Sequence, residues 1–487
     1  MWGISSPKAA RICSHPSRQF TTGLPHGCAA PNPDESSKLS IDAKRERAKV
    51  PPANDAARRG AVAKQTRKET PLTTEAQPLE DFRLELREWL EANCPASMRV
   101  IADPSLYGKA TEEERKKWLD AMAGRGFTTP TWPKEHGGGG LEKAELQVLN
   151  EELGHVGAYP PMVSFFGTAM LGPVLLEFGN DAQKDEHLRK ITNGEINWCQ
   201  GYSEPGAGSD LASLQTRAVL DGDHYIINGS KIWTTQANVA DWIFCLVRTD
   251  ATGPKHDGIS FILFDLKSPG VTISPIQLIS GSSEFCQVFF QDVKADAKNL
   301  VGPLNGGWTI AKRLLEHERK TLSGGMGGAG MAVPVVKKDK KAGEKKKKAP
   351  LVASASLLAE SARPYIPGDD KKLGDADLRS KIAQYELDAL CFSFSMRRSG
   401  EEGKAGRGPG PATSMFKLYS SEMNKRKMEL QMSIRGANGL GWEGEGFEPG
   451  EISETRGWLR SKGNSIEGGT SEVQLNVIAK RVLGLPD

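Results

Sequence analysis

Apolar residues first repeat at intervals of three and four positions from Leu79 onward, where the sequence reads LEDFRLELREWLEANC. One helical stripe collects five apolar residues of this segment, namely Leu79, Phe82, Leu86, Trp89 and Leu90. Further on, Thr111 precedes an acidic run and Glu114 follows three positions later, which is the spacing of an N-terminal capping box. Both patterns predict amphipathic helices that bury one face.

Three further helices are predicted before residue 196, over residues 141–156, 162–178 and 182–192. The segment from 126 to 140, GFTTPTWPKEHGGGG, contains too much glycine and proline for a regular element. Residues 77–195 are therefore predicted to form an N-terminal helical domain.

From residue 197 the apolar positions alternate with polar ones, which is typical of β-strands. Glycine, proline and aspartate separate six predicted strands, at 211–219, 225–229, 241–249, 258–265, 271–274 and 284–291. Strands and helices do not alternate here, so the GAGS at 206–209 is not a dinucleotide-binding fingerprint. Residues 196–300 are predicted to form a small middle β-domain of barrel or sandwich type.

Helical periodicity returns after Gly302 and predicts a C-terminal helical bundle over residues 301–487. Its long helices are predicted at 306 to about 324, 373–398, 413–434 and 471–483. A lysine-rich insertion at about 326–350 contains VVKKDKKAGEKKKKAP, and such a block of like charge predicts a solvated segment rather than a contact with an anionic surface. The order α–β–α along the chain gives an α+β fold class.

Composition excludes several functional classes. A formal net charge of +3 over 487 residues gives no basic field that would indicate a nucleic-acid partner. No apolar run approaches the ~20 residues of a membrane-spanning helix. Seven cysteines without a CxxC pair favour a reducing compartment over a disulfide framework, and no metal site is predicted.

The first 33 residues contain no Asp or Glu but include Lys8, Arg11 and Arg18. This composition is typical of a mitochondrial or plastid transit peptide, and the alternative is an unstructured tail. We expect a mitochondrial matrix protein, with plastid or peroxisome as alternatives. Residues 34–76 lack apolar periodicity and are predicted to be a disordered linker.

The most informative chemistry lies in two short segments, YSEPGAGSD at 202–210 and KIWTT at 231–235. Proline and glycine in the first exclude a regular element and expose backbone amides. Ser203, Ser209 and Thr235 add hydroxyl groups, and Trp233 adds a flat ring. Such a set suits a flat polar heterocycle, although a surface turn between strands is the alternative.

At this spacing, the two segments resemble the signature of the acyl-CoA dehydrogenase family, (S/T)EPxAGSD followed by Kx(W/Y)(I/T)(S/T). The resemblance continues from about Leu79 to Pro486 and includes IEGGTSEVQLNVIAKRVLGLP near the end. It implies an FAD-dependent enzyme that oxidises an acyl-CoA substrate to the 2,3-enoyl-CoA and passes electrons to electron-transfer flavoprotein. It also implies a homo-oligomer, either a dimer or a tetramer.

The resemblance assigns cofactor contacts to ten positions, namely Gln200, Ser203, Gly208, Ser209, Trp233, Thr235, Gly436, Ala437, Thr470 and Glu472. Substrate contacts are implied for Ser209, Arg319 and Gly468, whose backbone N–H would donate to the thioester carbonyl. Two family features differ here. The glutamine of QxxGGxG is replaced by Ser433, and the arginine of Rx(x)FG has no clear counterpart.

The family's usual catalytic glutamate directly precedes GT, where this chain has Gly468, and Glu467 lies one residue too early. Some members instead place the base in a Glu-Arg pair on the helix after the β-domain, which matches Glu318 and Arg319. One predicted helical stripe contains Trp308, Ala311, Leu315, Glu318 and Leu322, with Glu318 as its only acid. A carboxyl group facing a core has a raised pKa, which suits a general base. The alternative is an ion pair with Arg319 or another cation.

Two local expectations and two alternative functions remain. Ser471 and Gln474 are predicted to cap the last helix as a capping box. Glu316 is predicted to lie on a solvated charged face of its helix. The alternative functions are an oxygen-using acyl-CoA oxidase or flavin monooxygenase of the same fold, and a catalytically silent assembly or binding homologue.

Overall fold

The computed structural model describes residues 76–99, 110–161, 163–321, 358, 361–365, 373–404 and 413–486. The predicted transit peptide (1–33), the lysine-rich insertion (326–350) and the predicted linker up to residue 75 lie outside the described residues. The first helix begins at Ala76, which was assigned to the linker.

The N-terminal helices are α1 (Ala76–Asn93), α2 (Glu112–Gly124), α3 (Lys143–Val156), α4 (Gly172–Phe178) and α5 (Asp181–Thr192). The predicted α1 stripe is confirmed, because Leu86 and Leu90 are fully buried and the other three residues pack partly buried against the same cluster. The capping box is also confirmed. Thr111 Oγ1 accepts from Glu114 N at 3.2 Å, and Glu114 Oε2 accepts from Thr111 N at 2.8 Å.

The helix predicted over 162–178 is present from Phe165 to Phe178, but its first part is π-helical. A six-residue π-helical turn, Phe166–Leu171, precedes α4. Apolar spacing does not separate the two kinds of helix, because both place apolar residues on one side. The π-turn brings Gly172 so close to Trp132 that a Cβ at position 172 would stand 1.9 Å from the indole Cη2.

The middle domain is a mixed eight-stranded sheet. Its strands are β1 (Trp198–Gly201), β2 (Arg217–Asp221), β3 (His224–Thr235), β4 (Trp242–Arg248), β5 (Ile259–Asp265), β6 (Val271–Ile276), β7 (Phe285–Asp296) and β8 (Leu300–Val301). The order is β6-β7-β3-β2-β4-β5-β8, and β1 pairs in parallel with β4. Sequence reasoning missed β1, and it separated KIWTT from 225–229, although both belong to β3.

Both faces of β4 and β5 are buried, which explains their long apolar runs. In β5, Phe261 and Leu263 pack into a cluster with α4, α5 and the helix that follows the sheet. Ile262 and Phe264 point into the opposite cluster, which is formed by residues of the strands. The β-domain is therefore joined to the helices through one face of β4 and β5.

The later helices are α6 (Gly307–Thr321), α7 (Ala376–Lys404), α8 (Thr413–Arg435), α9 (Pro449–Ser461) and α10 (Ser471–Val477). Sequence reasoning missed α9, although Pro449 at its start and the Glu448–Glu451 capping box are recognisable signals. In the part of the chain that the structure describes, no helix is long and apolar enough to cross a membrane.

His187 on α5 is a fully buried histidine enclosed by aromatic rings. Its ring centroid lies 5.2 Å from those of Trp198 and Trp242. Neither ring nitrogen has a hydrogen-bond partner among the described residues. Burial lowers the pKa of His187 to about 4; Glu186 on the same helix has a smaller raising effect, and Lys190 and Lys298 lower the pKa further.

Replacing His187 by phenylalanine should reduce the loss of stability on acidification. The unfolded chain binds this proton near pH 6.5 but the folded chain only near pH 4, so the stability of the wild type falls through that window. This difference in pKa corresponds to a loss of roughly 3 kcal/mol in the free energy of unfolding. Urea unfolding at neutral pH and near pH 4 should show a smaller drop in the free energy of unfolding for His187→Phe than for wild type. Exposed His155→Phe is the control, and equal drops in all three proteins would contradict the prediction.

Candidate functional site

A buried ion pair fixes the loop that contains YSEPGAGSD. Lys231 on β3 is fully buried, and its Nζ lies 2.8 Å from Glu204 Oε1 and donates to the Tyr202 carbonyl at 3.1 Å. The Glu204 carboxylate also accepts from the N–H groups of Gln215, at 2.6 Å, and Thr216, at 2.9 Å. Both ends of the 202–216 loop are therefore attached to one pair of charges.

Glu204 stays ionised despite its burial. Burial raises the pKa of this carboxyl group, but the Lys231 ammonium and the hydrogen bonds from the 202–216 loop have the larger combined effect. The net result is a pKa below the ordinary value. An ionised carboxylate accepts stronger hydrogen bonds than a neutral one, so the pair keeps the loop tightly held.

A second buried cation explains why residues 211–215 do not form the predicted strand. Arg248 on β4 donates to the carbonyl oxygens of Ala212, at 2.6 Å, and Leu214, at 3.3 Å. It also donates to Lys255 O at 2.7 Å. These carbonyl groups bond to a side chain instead of a neighbouring strand, so Leu211–Ser213 forms a 3₁₀ turn and β2 begins only at Arg217.

The tip of the loop is an exposed turn. Glu204 and Ala207 exchange two backbone hydrogen bonds, at 2.9 and 3.0 Å. Gly208 and Ser209 are exposed beyond this turn. Asp210 accepts from Lys255 Nζ at 2.7 Å, which attaches the loop end to the β4–β5 connection. The loop therefore offers amides and a hydroxyl group to a ligand, as the sequence predicts.

Trp233 projects outward from a bulge in β3. The pairing of β3 with β7 shifts between Lys231 and Thr234, and Trp233 between them has φ of 60°. A positive φ is rare for a bulky side chain and is found mainly at functional sites. The indole is 53 % exposed and makes an edge contact with Phe285, with centroids 6.1 Å apart.

The structure brings several predicted cofactor residues close to this indole. Ile232 N donates to Ser203 O at 2.9 Å, which places Ser203 beside the strand residue that precedes Trp233. Thr235 follows two residues later and pairs with Phe285. Gln200 lies half-buried in β1, two residues before Tyr202.

The glycine turn, residues 464–470, has two successive residues with positive φ, Gly468 at 64° and Gly469 at 92°. The predicted Ser471–Gln474 capping box is wrong. Thr470 is the N-cap of α10, and its hydroxyl accepts from Val473 N at 3.2 Å. Gln474 instead donates to Gly468 O at 3.3 Å, because a buried amide needs a partner. Glu472 lies exposed in the first turn of α10.

Arg460 on α9 connects the glycine turn to the β-domain. Its Nε lies 2.7 Å from Glu284 Oε1, and its Nη2 lies 2.8 Å from Glu467 Oε2. The guanidinium also stands 5.1 Å from the centroid of Phe285, the ring that touches Trp233. The structure therefore brings the Trp233 segment and the glycine turn together through Phe285 and Arg460.

The partners of Glu467 are those of a structural residue. One carboxylate oxygen is bound by Arg460, and the other accepts from Asn464 Nδ2 at 2.6 Å. Both carboxylate oxygens of Glu467 therefore hold the turn to neighbouring side chains.

Gly436 and Ala437 lie in an exposed 3₁₀ turn, Gly436–Leu440, at the end of α8. The contacts described for this turn lead to α9, where Thr455 donates to Gly439 O at 3.2 Å and Asn438 to Glu451 at 2.8 Å. The structure therefore does not join these two predicted cofactor residues to the 202–216 loop.

The predicted stripe on α6 is displaced by about one position. The most buried residues are Ile310, Ala311 and Leu314, whereas Trp308 and Leu315 are half-buried. Position 318 follows Ala311 by seven residues and Leu314 by four. Its backbone therefore lies on the same side of α6 as these two buried residues. The side chains of Glu318 and Arg319 lie outside the described residues, as does Leu322.

Glu316 lies where the sequence predicts, on the charged face of α6. It is half-exposed and bonds Arg313 at 2.8 Å, and Arg313 also bonds Glu177.

The residues around Trp233 fit a flat heterocyclic cofactor. The half-exposed indole lies on the same strand as Thr235 and next to Ile232, whose N–H donates to the carbonyl of Ser203 in the 202–216 loop. The buried Thr234 hydroxyl has no hydrogen-bond partner among the residues described. Over the same residues, no three His, Cys, Asp or Glu side chains are grouped to hold a metal ion.

Sequence reasoning missed the residues that hold this site together, namely Lys231, Glu204, Arg248, Phe285 and Arg460. Of these residues, only Lys231 could have been recognised from the neighbouring sequence. It occupies an inward position of an alternating strand, where a charged residue must find a buried partner.

Comparison with known proteins identifies three domains. Family models match the N-terminal domain of acyl-CoA dehydrogenase over residues 78–195, the middle domain over residues 199–293 and the C-terminal domain over residues 369–483. The chain is 35 % identical over 413 residues to acyl-CoA dehydrogenase IpdE1 of Mycobacterium tuberculosis. That alignment covers 84 % of this chain and 98 % of IpdE1.

Two solved structures have the same architecture. One, described as "Tcur3481-Tcur3483 steroid ACAD", is 28 % identical with a TM-score of 0.61, covering 84 % of this chain and 98 % of the other. The ChsE4-ChsE5 complex from Mycobacterium tuberculosis is 26 % identical with a TM-score of 0.60, covering 87 % and 100 %. The resemblance and the α+β fold predicted from the sequence are thus confirmed.

Substituting Lys231 by methionine should destabilise the protein by about 3–5 kcal/mol, because Glu204 would be left buried without its cation. Adding Glu204→Gln should recover part of this loss, since the remaining uncompensated charge is removed. Urea unfolding measures both effects. The exposed Lys116–Asp120 pair gives the control, and Lys116→Met should change the free energy of unfolding by less than about 1 kcal/mol. Equal losses for Lys231→Met and Lys116→Met would contradict the prediction.

Proposed function

The chain belongs to the acyl-CoA dehydrogenase family, and from this premise we propose that it converts an acyl-CoA thioester to the trans-2-enoyl-CoA. The proposal includes bound FAD as the cofactor and electron-transfer flavoprotein as the electron acceptor. The observation that carries it is the outward indole of Trp233, presented at positive φ between the 202–216 loop and the bridge of Arg460 to the glycine turn.

The cofactor site proposed for FAD uses the residues around this indole. Gln200, Ser203, Trp233 and Thr235 would contact the flavin ring, and the exposed Gly208 and Ser209 would lie between flavin and CoA. Thr470 and Glu472 would complete the site at the start of α10. The exposed Gly436 and Ala437 are proposed to bind through their backbone amides.

Bound FAD supplies the acceptor for the hydride that leaves Cβ of the substrate. The base proposed for the Cα proton is Glu318. When its carboxylate takes the proton, the electron pair of the Cα–H bond becomes the second bond between Cα and Cβ. The backbone N–H of Gly468 is proposed to donate to the thioester carbonyl, where negative charge develops as the proton leaves. Ser209 and Arg319 are proposed as further substrate contacts.

The names of two relatives extend the proposal to substrate and assembly. One related structure is described as a steroid ACAD, so a steroid acyl-CoA belongs in any substrate panel. Both related structures carry the names of two different chains, so a second, related subunit is an alternative to the expected homo-oligomer. The matrix location stays a prediction, and the mycobacterial relatives described above lend it no support.

The purified chain should be yellow, and its flavin should bleach in an anaerobic titration with acyl-CoAs. The panel should contain straight, branched and steroid acyl-CoAs, because the site around Trp233 does not define the acyl group. Recovery of FMN, or of no flavin after reconstitution with FAD, would contradict the proposal. Fast reoxidation by air would favour the oxygen-using alternative, and a colourless protein would favour the catalytically silent one.

Substituting Glu318 by glutamine should leave FAD and product binding nearly intact while slowing flavin reduction at least ~10²-fold, as expected for the loss of a general base. Glu316→Gln on the same helix is the matched control. It removes an exposed carboxylate paired with Arg313 and should slow the reaction less than about threefold. Stopped-flow absorbance measures the rates. If Glu467→Gln stops the reaction and Glu318→Gln does not, the assignment of the base is wrong.

A further inference from the structure

The glycine turn is held on one side by a lysine that the reaction does not otherwise use. Lys417 on α8 donates from Nζ to Gly469 O at 2.7 Å and to Asn464 O at 3.1 Å. Its side chain lies directly beneath the turn, since a Cβ at Gly468 would stand 3.8 Å from Lys417 Cε. A single ammonium group therefore engages both ends of the turn.

Other donors engage the remaining acceptors of the turn. Gln474 donates to Gly468 O at 3.3 Å, while Asn464 and Arg460 bind the Glu467 carboxylate. In a trans peptide the N–H points away from the C=O of the same unit. Because the carbonyl groups of Gly468 and Gly469 are directed at Gln474 and Lys417, the N–H groups in the same peptide units, those of Gly469 and Thr470, face away from these two side chains.

Backbone N–H groups in such a turn form a concave donor surface for an anion or a carbonyl oxygen. Gly468 and Gly469 both have positive φ, a conformation that residues with a Cβ rarely adopt. Positive φ alone does not fix the direction of the N–H groups. The chain on either side of Gly468 must also be held, and Lys417 binds the carbonyl groups of Asn464 and Gly469 there.

We propose that Lys417 is a positioning residue for the reaction. By binding the carbonyl groups of Asn464 and Gly469, one on each side of Gly468, it fixes the glycine turn so that the Gly468 N–H donates to the thioester carbonyl of the acyl-CoA. This inference rests on the proposed function. Lys417 touches neither substrate nor cofactor in this role and acts only through the turn.

Two ligands that differ only at the carbonyl group can distinguish this role from a purely structural link between α8 and the turn. The 2-enoyl-CoA product carries the thioester carbonyl, whereas its thioether counterpart has CH₂ in that place. A misdirected N–H group weakens binding of the thioester alone. A general loosening of the site weakens binding of both ligands equally.

The experiment measures Kd for both ligands by calorimetry on the purified holoenzyme. Wild type should prefer the thioester, and Lys417→Met should reduce that preference about tenfold, which is smaller than the effect of deleting an oxyanion donor itself because Lys417 acts indirectly. The Kd for the thioether should change less than about twofold. Lys417→Arg, which keeps the charged donor, should restore most of the preference.

Lys425 provides the matched control on the same helix. It donates to Ser465 Oγ at 3.2 Å and to Glu422, but to no carbonyl of the glycine pair. Lys425→Met should therefore keep the wild-type preference. Thermal unfolding checks that each variant is folded, and Lys417→Gln replaces the methionine variant if that one does not fold.

Each negative result of this experiment would contradict a different claim. Equal weakening of both ligands by Lys417→Met, or no weakening of either, would overturn the positioning role. A wild type that binds both ligands equally would overturn the proposed carbonyl contact of the turn and the role of Lys417 with it. A wild type that binds neither ligand would overturn the proposed function itself.

Discussion

The Glu204–Lys231 ion pair is the interaction on which the candidate site depends. Neither charge is tolerable alone inside the β-domain, because each would lose its hydration without compensation. Together they also satisfy the backbone at both ends of the 202–216 loop. Buried pairs of this kind add little net stability, but they permit one arrangement of the chain rather than several. The loop tip can therefore be rich in glycine and still have a defined shape.

The second half of the site comes from the C-terminal helices, far along the chain from the 202–216 loop. Arg460 joins Glu284 at the start of β7 to Glu467 beside the glycine turn, and Lys417 holds that turn from below. In both halves the pattern is the same. Charged side chains bind backbone carbonyl groups or fixed carboxylates and so hold each segment in place. The proposed reaction needs donors with fixed directions, and these contacts are the means of fixing them that we propose.

Sequence reasoning succeeded where a feature depends on neighbouring residues. The α1 stripe and the Thr111 capping box are local patterns, and YSEPGAGSD must form an exposed turn because of its own proline and glycine. It failed where a distant side chain decides. Residues 211–215 alternate like a strand, but Arg248 takes their carbonyl groups. Gln474 has the spacing of a capping box with Ser471, yet it bonds Gly468. The KIWTT segment gives no local sign that a bulge turns Trp233 outward.

The bridge of Arg460 has a consequence for local opening of the molecule. Glu284 accepts on its side chain from Arg460, and its carbonyl oxygen accepts from Gln236 N at 2.8 Å, just after the end of β3. Fraying of the glycine turn from the β-domain must therefore break Arg460–Glu284 and loosen the ends of β3 and β7 together. Amide hydrogens at 236 and 285–286 and those of the glycine turn should belong to one cooperative opening unit, so binding in the site would slow exchange in segments far apart along the chain.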